Sequence, residues 1–229
     1  MRSITLYSGP VYPGIDTVHA LDYERCMALA ASGYAWVARY IPRDSRRLDV
    51  PDAHGGDWGG CWTLSTQELP QRTEAGLWVL PVQWGPQAGS TLTATGGHVA
   101  GFNARASARA MGVPPGVHLF ADVEGGAARR SGRSGCVGWI EAWAAAVTAG
   151  GVYNAGLYIG DPSVPLTARQ LYRLRGITSY WSAANSPPNP LPRGYAVEQD
   201  MPTEVCGIPC DTDTIRADRF GDVPILAAA

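Results

Sequence analysis

The chain of 229 residues contains no lysine; its 18 basic side chains are all arginine, scattered without a basic stripe. With a net charge of −2 and a pI near 6.1, it carries no electrostatic footprint for a phosphate backbone, so nucleic acid is not an expected partner. No run approaches the roughly eighteen apolar residues of a membrane-spanning helix. The opening Met1-Arg2-Ser3-Ile4-Thr5 lacks the apolar core of a secretory signal. The expectation is therefore a soluble protein, cytoplasmic when made; release by a phage or delivery as an effector is the non-classical route left open to a target outside the cell. The five cysteines, Cys26, Cys61, Cys136, Cys206 and Cys210, have no zinc-site spacing. Most read as small buried hydrophobes; Cys206 and Cys210 are close enough to bridge across a loop or to stay reduced. No low-complexity linker interrupts the sequence, and 45% hydrophobic content suffices for one core, so residues 1–229 are expected to form a single domain.

What is present is an alternation. Short β-rich runs at 14–18, 34–41, 77–84, 117–123, 155–159, 177–183, 195–199 and 212–215 are separated by helical patterns at 19–32, 65–75, 99–111, 136–149 and 167–174. Several of these patterns close on glycine, and the second opens with the capping box Ser65-Thr66-Gln67-Glu68. A helix that ends in glycine and feeds a strand is the repeat of a parallel sheet. Eight strands in one domain of this length favour an α/β fold, a single TIM-like (β/α)8 barrel, with short or missing late helices between Pro187 and Asp211. A doubly wound sheet is the structural alternative, but no G-x-G-x-x-G follows the first strand.

The fourth strand run, Gly116-Val117-His118-Leu119-Phe120-Ala121-Asp122-Val123-Glu124-Gly125-Gly126, carries the strongest chemical signal. Side chains alternate faces along a strand, so Asp122 and Glu124 point the same way, roughly 7 Å apart at about 3.3 Å per residue. Two acids on one face raise each other's pKa and can divide the roles of protonated acid and ionised stabiliser, as glycosidic cleavage requires. Barrel sites collect at strand C-termini. That rule adds Asp16 from the first strand, Arg39 and Tyr40 from the second, and Gln83 and Trp84 from the third. The late strands contribute Trp181, Asn185, Glu198, Gln199, Asp200, Asp211 and Asp213.

Several of these residues have a second reading. Asp16 either serves the site or caps a helix opening near His19. Arg39 either clamps an anionic substituent or only neutralises the acids. Asp211 and Asp213 share a face, but too few oxygen ligands are in sight for a metal, and no cofactor is implied. Trp58 and Trp62 sit in the glycine-rich loop Gly55-Gly56-Asp57-Trp58-Gly59-Gly60-Cys61-Trp62, where they either stack on sugar rings or plug the loop inward.

With Gly14-Ile15-Asp16 at the first strand, Asp122-Val123-Glu124-Gly125 at the fourth, and Glu198-Gln199-Asp200 leading to Asp211-Thr212-Asp213, the chain resembles the family 25 glycoside hydrolases, which are N-acetylmuramidase-type lysozymes. It resembles more closely the related glycoside-hydrolase-like family of unknown function 1906. That resemblance rests on Gly14-Ile15-Asp16-Thr17, Gly33-Tyr34, Val37-Ala38-Arg39-Tyr40-Ile41, Leu64-Ser65-Thr66-Gln67-Glu68 and Glu74-Ala75-Gly76-Leu77, and it spans about 14–220. It implies a retaining, acetamido-assisted hydrolase of β-1,4-linked N-acetyl amino sugars, with peptidoglycan the leading carbohydrate polymer. Glu124 would be the general acid, Asp122 would orient the acetamido group, and Asp16 and Asp211 would complete an acidic cleft. Arg39, Tyr40, Gln83, Trp84, Trp181, Gln199, Asp213, Trp58 and Trp62 would bind substrate. The sequence departs from the lysozymes at Arg39-Tyr40, where they usually carry lysine, and at Asp200, where an aromatic residue is usual. The alternative is a catalytically silent carbohydrate-binding or cell-wall module on the same barrel.

Overall fold

A computed structural model describes residues 2–5, 11–44, 46, 63–86, 89–160, 164–185 and 187–228. In chain order these form β1 (Arg2–Thr5), β2 (Tyr12–Asp16), α1 (Tyr23–Ala31), β3 (Trp36–Ile41), α2 (Glu68–Glu74), β4 (Trp78–Gln83), α3 (Ala94–Ala110) and β5 (His118–Val123). They continue with α4 (Gly125–Thr148), β6 (Asn154–Ile159), α5 (Ala168–Tyr172), β7 (Ile177–Ser182), β8 (Val197–Val205), β9 (Ile208–Ile215) and β10 (Ile225–Ala228). Eight strands, β4-β3-β2-β9-β8-β7-β6-β5, make a closed ring, sealed by Val82 against Phe120 and Gln83 against Ala121. The fold is a single TIM-like barrel whose late helices are short or missing among the described residues.

The expectation of uniform parallel repeats is corrected at the last stave, because β9 runs antiparallel to both β8 and β2. The two-residue turn Cys206-Gly207, with φ of 51° and 72°, can only reverse the chain, so β8 and β9 form a hairpin instead of a crossover. A register shift between Gln199 and Pro202 lets the outer half of this hairpin bend away. There Val205, Ile208 and Cys210 pack with Ile15, Leu21, Leu29 and Val37, and the Thr17 hydroxyl donates to the Pro209 carbonyl at 2.9 Å. The hairpin thus covers the outer face of β2, and no helix is found in 187–228 among the described residues. Cys206 and Cys210 are both free thiols; Cys61 lies outside the described residues.

Alternation sorts the strand residues. Inside the ring, Trp36, Ala38, Leu80, Val82, Phe120, Trp181, Val197, Ile215 and Leu226 form one apolar cluster. Outside it, Leu119, Ala121 and Val123 meet Trp139, Ile140 and Trp143 of α4. α3 starts at Ala94 instead of Val99, with the Thr93 hydroxyl accepting from the Gly96 amide at 3.1 Å. α4 starts at Gly125 instead of Cys136 and kinks at Gly132. Glycines disfavour helix locally, which hid both starts. Tertiary packing overrides that preference: a side chain at Gly97 or Gly101 would collide with the backbone of Trp139 or Trp143. At the N-terminal end, β10 pairs with β4 through Ala227 and Val79. The Ile225 amide donates to His118 Nδ1 at 2.9 Å, and Leu226 joins the interior cluster. The opposite end, where β2 to β7 finish, carries the polar groups.

Candidate active site

β2 delivers Asp16 level with Asp211 of β9, its partner in the antiparallel ladder. The reversed stave therefore brings Asp211 to the site from the first half of its strand, not from its C-terminus. One amide ties the two acids together: Gln199 Nε2 donates to Asp16 Oδ2 at 2.6 Å and to Asp211 Oδ2 at 3.1 Å. The Tyr158 hydroxyl fixes that amide by donating to Gln199 Oε1 at 3.0 Å.

Asp122 at the end of β5 is fully buried. Its Oδ2 accepts from the Tyr40 hydroxyl at 3.0 Å, while Oδ1 has no hydrogen-bond partner. Glu124, two residues on and on the same face, sits at the N-cap of α4 and is exposed. Its Oε2 lies against Gly160, where any Cβ would overlap it. Lower in the ring, Asp213 accepts from Trp181 Nε1 at 2.8 Å through Oδ1, and its buried Oδ2 has no partner.

Burial and mutual repulsion set the protonation of this cluster. Burial, then the charge of Asp211, pushes Asp16 up to about 7 against the opposing Gln199 bond. Burial, followed by the neighbouring Glu124 charge, holds Asp122 well above the carboxylate range, with the Tyr40 bond opposing. Asp213 is raised well above that range by burial and then by Asp16, and Asp211 is raised by burial. Protonated and ionised carboxyls therefore coexist near neutrality, as acid–base work needs.

An aromatic wall borders the acids. Tyr40 and Trp84 stack with centroids 4.5 Å apart at 26°. Trp84 lines a cavity of about 430 Å³ together with Asp16, Asp211, His19 and Pro202. Other expected site residues go elsewhere. Tyr40 faces inward, so its neighbour Arg39 faces outward: Nε and Nη2 bond Glu68, Nη1 donates to the Thr17 carbonyl at 2.7 Å, and Arg72 also pairs with Glu68. Arg39 is thus no clamp at the mouth. Gln83 is also outward and buried, accepting from Trp143 Nε1 at 2.6 Å and donating to the Ala100 carbonyl at 2.9 Å. Trp181 is buried below the site, in edge contact with Phe120 and Tyr158. Asp16 caps no helix; Asp22 caps α1, accepting from the Arg25 amide at 2.8 Å. Trp58 and Trp62 lie outside the described residues.

Tyr158 and Gly160 were missed by sequence reasoning. Both belong to the fifth strand run or its end, and counting by twos from its interior residues would have found Tyr158. Among the described residues no group of three or more His, Cys, Asp or Glu side chains is arranged to hold a metal ion. No helix there is long and apolar enough to cross a membrane.

The family model described as Rv2525c-like, glycoside hydrolase-like domain matches residues 27–218. Solved structures share the barrel over almost its whole length. An uncharacterized protein from B. stearothermophilus is 24% identical, with 91% of this chain and 97% of that one covered and a TM-score of 0.65. The Tat-secreted protein Rv2525c of Mycobacterium tuberculosis, solved with HEPES, is 14% identical, with 93% and 98% covered and a TM-score of 0.66. The bacterial lysozyme from Streptomyces coelicolor is 12% identical, with 91% and 94% covered and a TM-score of 0.63. No curated protein matches the sequence.

Proposed function

The chain belongs to the Rv2525c-like, glycoside hydrolase-like family, and from that premise we propose that it hydrolyses β-1,4 bonds between N-acetyl amino sugars, with peptidoglycan as substrate, by a retaining mechanism in which the substrate's acetamido oxygen is the nucleophile. The observation that carries this reading is the Asp122 and Glu124 pair: one carboxyl buried with an unpartnered Oδ1, the other exposed on the same face. In the free protein the raised pKa of Asp122 keeps the proton of the pair on that residue. An acetamido N–H donating to Oδ1 favours the ionised carboxylate, and the proton then passes to Glu124, which gives it to the glycosidic oxygen as the bond breaks. The ionised Asp122 balances the positive charge that develops on the acetamido-derived ring. Water then opens that ring, with Glu124 taking its proton. Asp16, Asp211 and Gln199 hold sugar hydroxyls, and the Tyr40–Trp84 stack offers an aromatic face to a ring.

The lysozyme barrel of Streptomyces coelicolor supports the reaction class. The Tat secretion of the mycobacterial protein supports a site of action outside the cytoplasm. Mass spectrometry of peptidoglycan and chitin oligomers after incubation with wild type and Glu124→Gln tests the proposal. The expected result is new reducing ends from wild type and a loss of about 10² to 10⁴-fold in the variant. Equal turnover by both would place the chemistry elsewhere. Binding without turnover by wild type would make the protein a wall-binding module.

A further inference from the structure

A cavity of about 1030 Å³ opens at the end of the barrel away from the acids. Its lining residues Val113 and Pro115 precede β5, and Val152 and Tyr153 precede β6, whereas Asp16 and Asp122 stand where β2 and β5 finish. It shares no described lining residue with the acid cavity.

The rest of the lining comes from α3, and the packing of that helix fixes which side chains it presents. Gly97, Gly101, Ala104 and Ala108 form the buried face, with the two glycines against the backbone of α4. At about 3.6 residues per turn the opposite face carries Phe102, Ala106 and Ala110. A helix face turned to water ordinarily carries polar residues. This one carries an apolar strip, with Phe102 53% exposed, and Val113, Pro115 and Val152 continue it.

Positive charge edges the strip. Arg105 and Arg109, one turn apart, both line the cavity, and no carboxylate does so among the described residues. Arg105 Nη1 donates to the Ala149 carbonyl at 2.9 Å, and its guanidinium carbon lies 5.6 Å from the Phe102 ring centroid. Arg109 is exposed and makes no hydrogen bond or ion pair among the described residues. The Tyr153 hydroxyl, the remaining polar side-chain group of the lining, donates to the Val113 carbonyl at 2.8 Å. An apolar floor with few polar groups to set orientation is the chemistry of a small-molecule site, and the volume stands at the upper end of their range of roughly 300 to 1,000 Å³.

We propose that this cavity binds a free single-chain carboxylic acid, its alkyl chain along Phe102, Ala106 and Ala110 and its carboxylate on Arg109 with Arg105 beside it. A guanidinium meets a carboxylate with two parallel hydrogen bonds. A peptide or a sugar laid on the same strip would leave its own polar groups without partners, because the floor offers them none. Two copies of the protein meeting strip to strip would set these arginines against their own equivalents. The site uses no residue of the acid cluster and stands independently of the glycan reading.

Calorimetry of the purified protein with decanoate, kept below its micellar concentration, tests the proposal. Acetate supplies the head without the tail, and decyltrimethylammonium the tail with the opposite charge. Decanoate is expected to bind and both controls to bind at least tenfold more weakly. Arg109→Gln should weaken decanoate about tenfold, the scale of one charge-assisted hydrogen bond. Ala106→Trp, which fills the floor from a half-buried position, should abolish binding. Thermal melts of both variants show that the fold is intact. Equal affinity for decanoate and decyltrimethylammonium, or decanoate affinity unchanged in both folded variants, overturns the site. So does an absence of decanoate binding; if sedimentation then shows a dimer that Ala106→Trp splits, a second copy covers the strip instead.

Discussion

Replacing Asp16 by Asn isolates the cost of holding acids together at the barrel mouth. Asn keeps an oxygen for Gln199 Nε2, which donates to Asp16 Oδ2 at 2.6 Å, so the geometry survives while the titration disappears. The folded protein raises the Asp16 pKa from 3.8 to about 7 and so binds that proton more tightly than the unfolded chain does. The resulting stability is fully present below about pH 4 and is lost as pH rises through 7. Three pH units at about 1.36 kcal/mol each make the loss on the order of 4 kcal/mol. Asp16→Asn does not suffer it, so its stability relative to wild type should climb by up to about 4 kcal/mol between about pH 4 and about pH 8. His118, lowered by burial to about 4, has the opposite dependence, gaining stability as pH rises to 6.5, but both proteins share it and it cancels in the difference. Urea denaturation of both proteins across that range measures the difference directly. Parallel curves would refute the reasoning, because they would mean that Asp16 ionises equally easily in the folded and unfolded chains.

Two further perturbations probe the floor and the rim of the site. Trp181→Phe removes the donor to Asp213 Oδ1, leaving a buried carboxyl with no partner on either oxygen; destabilisation of about 1 to 3 kcal/mol is expected by denaturant titration, and an unchanged midpoint would show that water takes the indole's place. Gly160→Ala puts a methyl where Glu124 Oε2 now lies, 2.8 Å from the Tyr158 ring and 2.9 Å from Glu124 Cβ, so turnover of an amino-sugar oligomer should fall and the melting temperature with it; wild-type activity in that variant would mean that Glu124 works from another rotamer.

The barrel was legible because its signals are local. Each apolar run flanked by glycine says strand, and the Asp122-Val123-Glu124 spacing puts two acids on one face whatever the rest of the chain does. Local signals also misled. Arg39 and Gln83 sit at strand C-termini, as site residues should, but adjacent strand positions face opposite ways, and these two turn outward to Glu68 and to Trp143. Counting parity from Tyr40 would have separated Arg39 from the site; for Gln83 the reference was the buried Val82 beside it.

By itself the sequence determined the eight strands, their closure as a barrel type, and the acid pair, because alternation and glycine punctuation are properties of a few adjacent residues. The tertiary structure decided what depends on distant partners. It reversed the last stave through the Cys206-Gly207 turn, and so brought Asp211 to Asp16 from the other direction. It set Gln199 between those two acids and placed Tyr158 behind that amide. It also left Asp122 Oδ1 without a partner, a fact that no spacing encodes, since burial is the sum of every element packed around a residue.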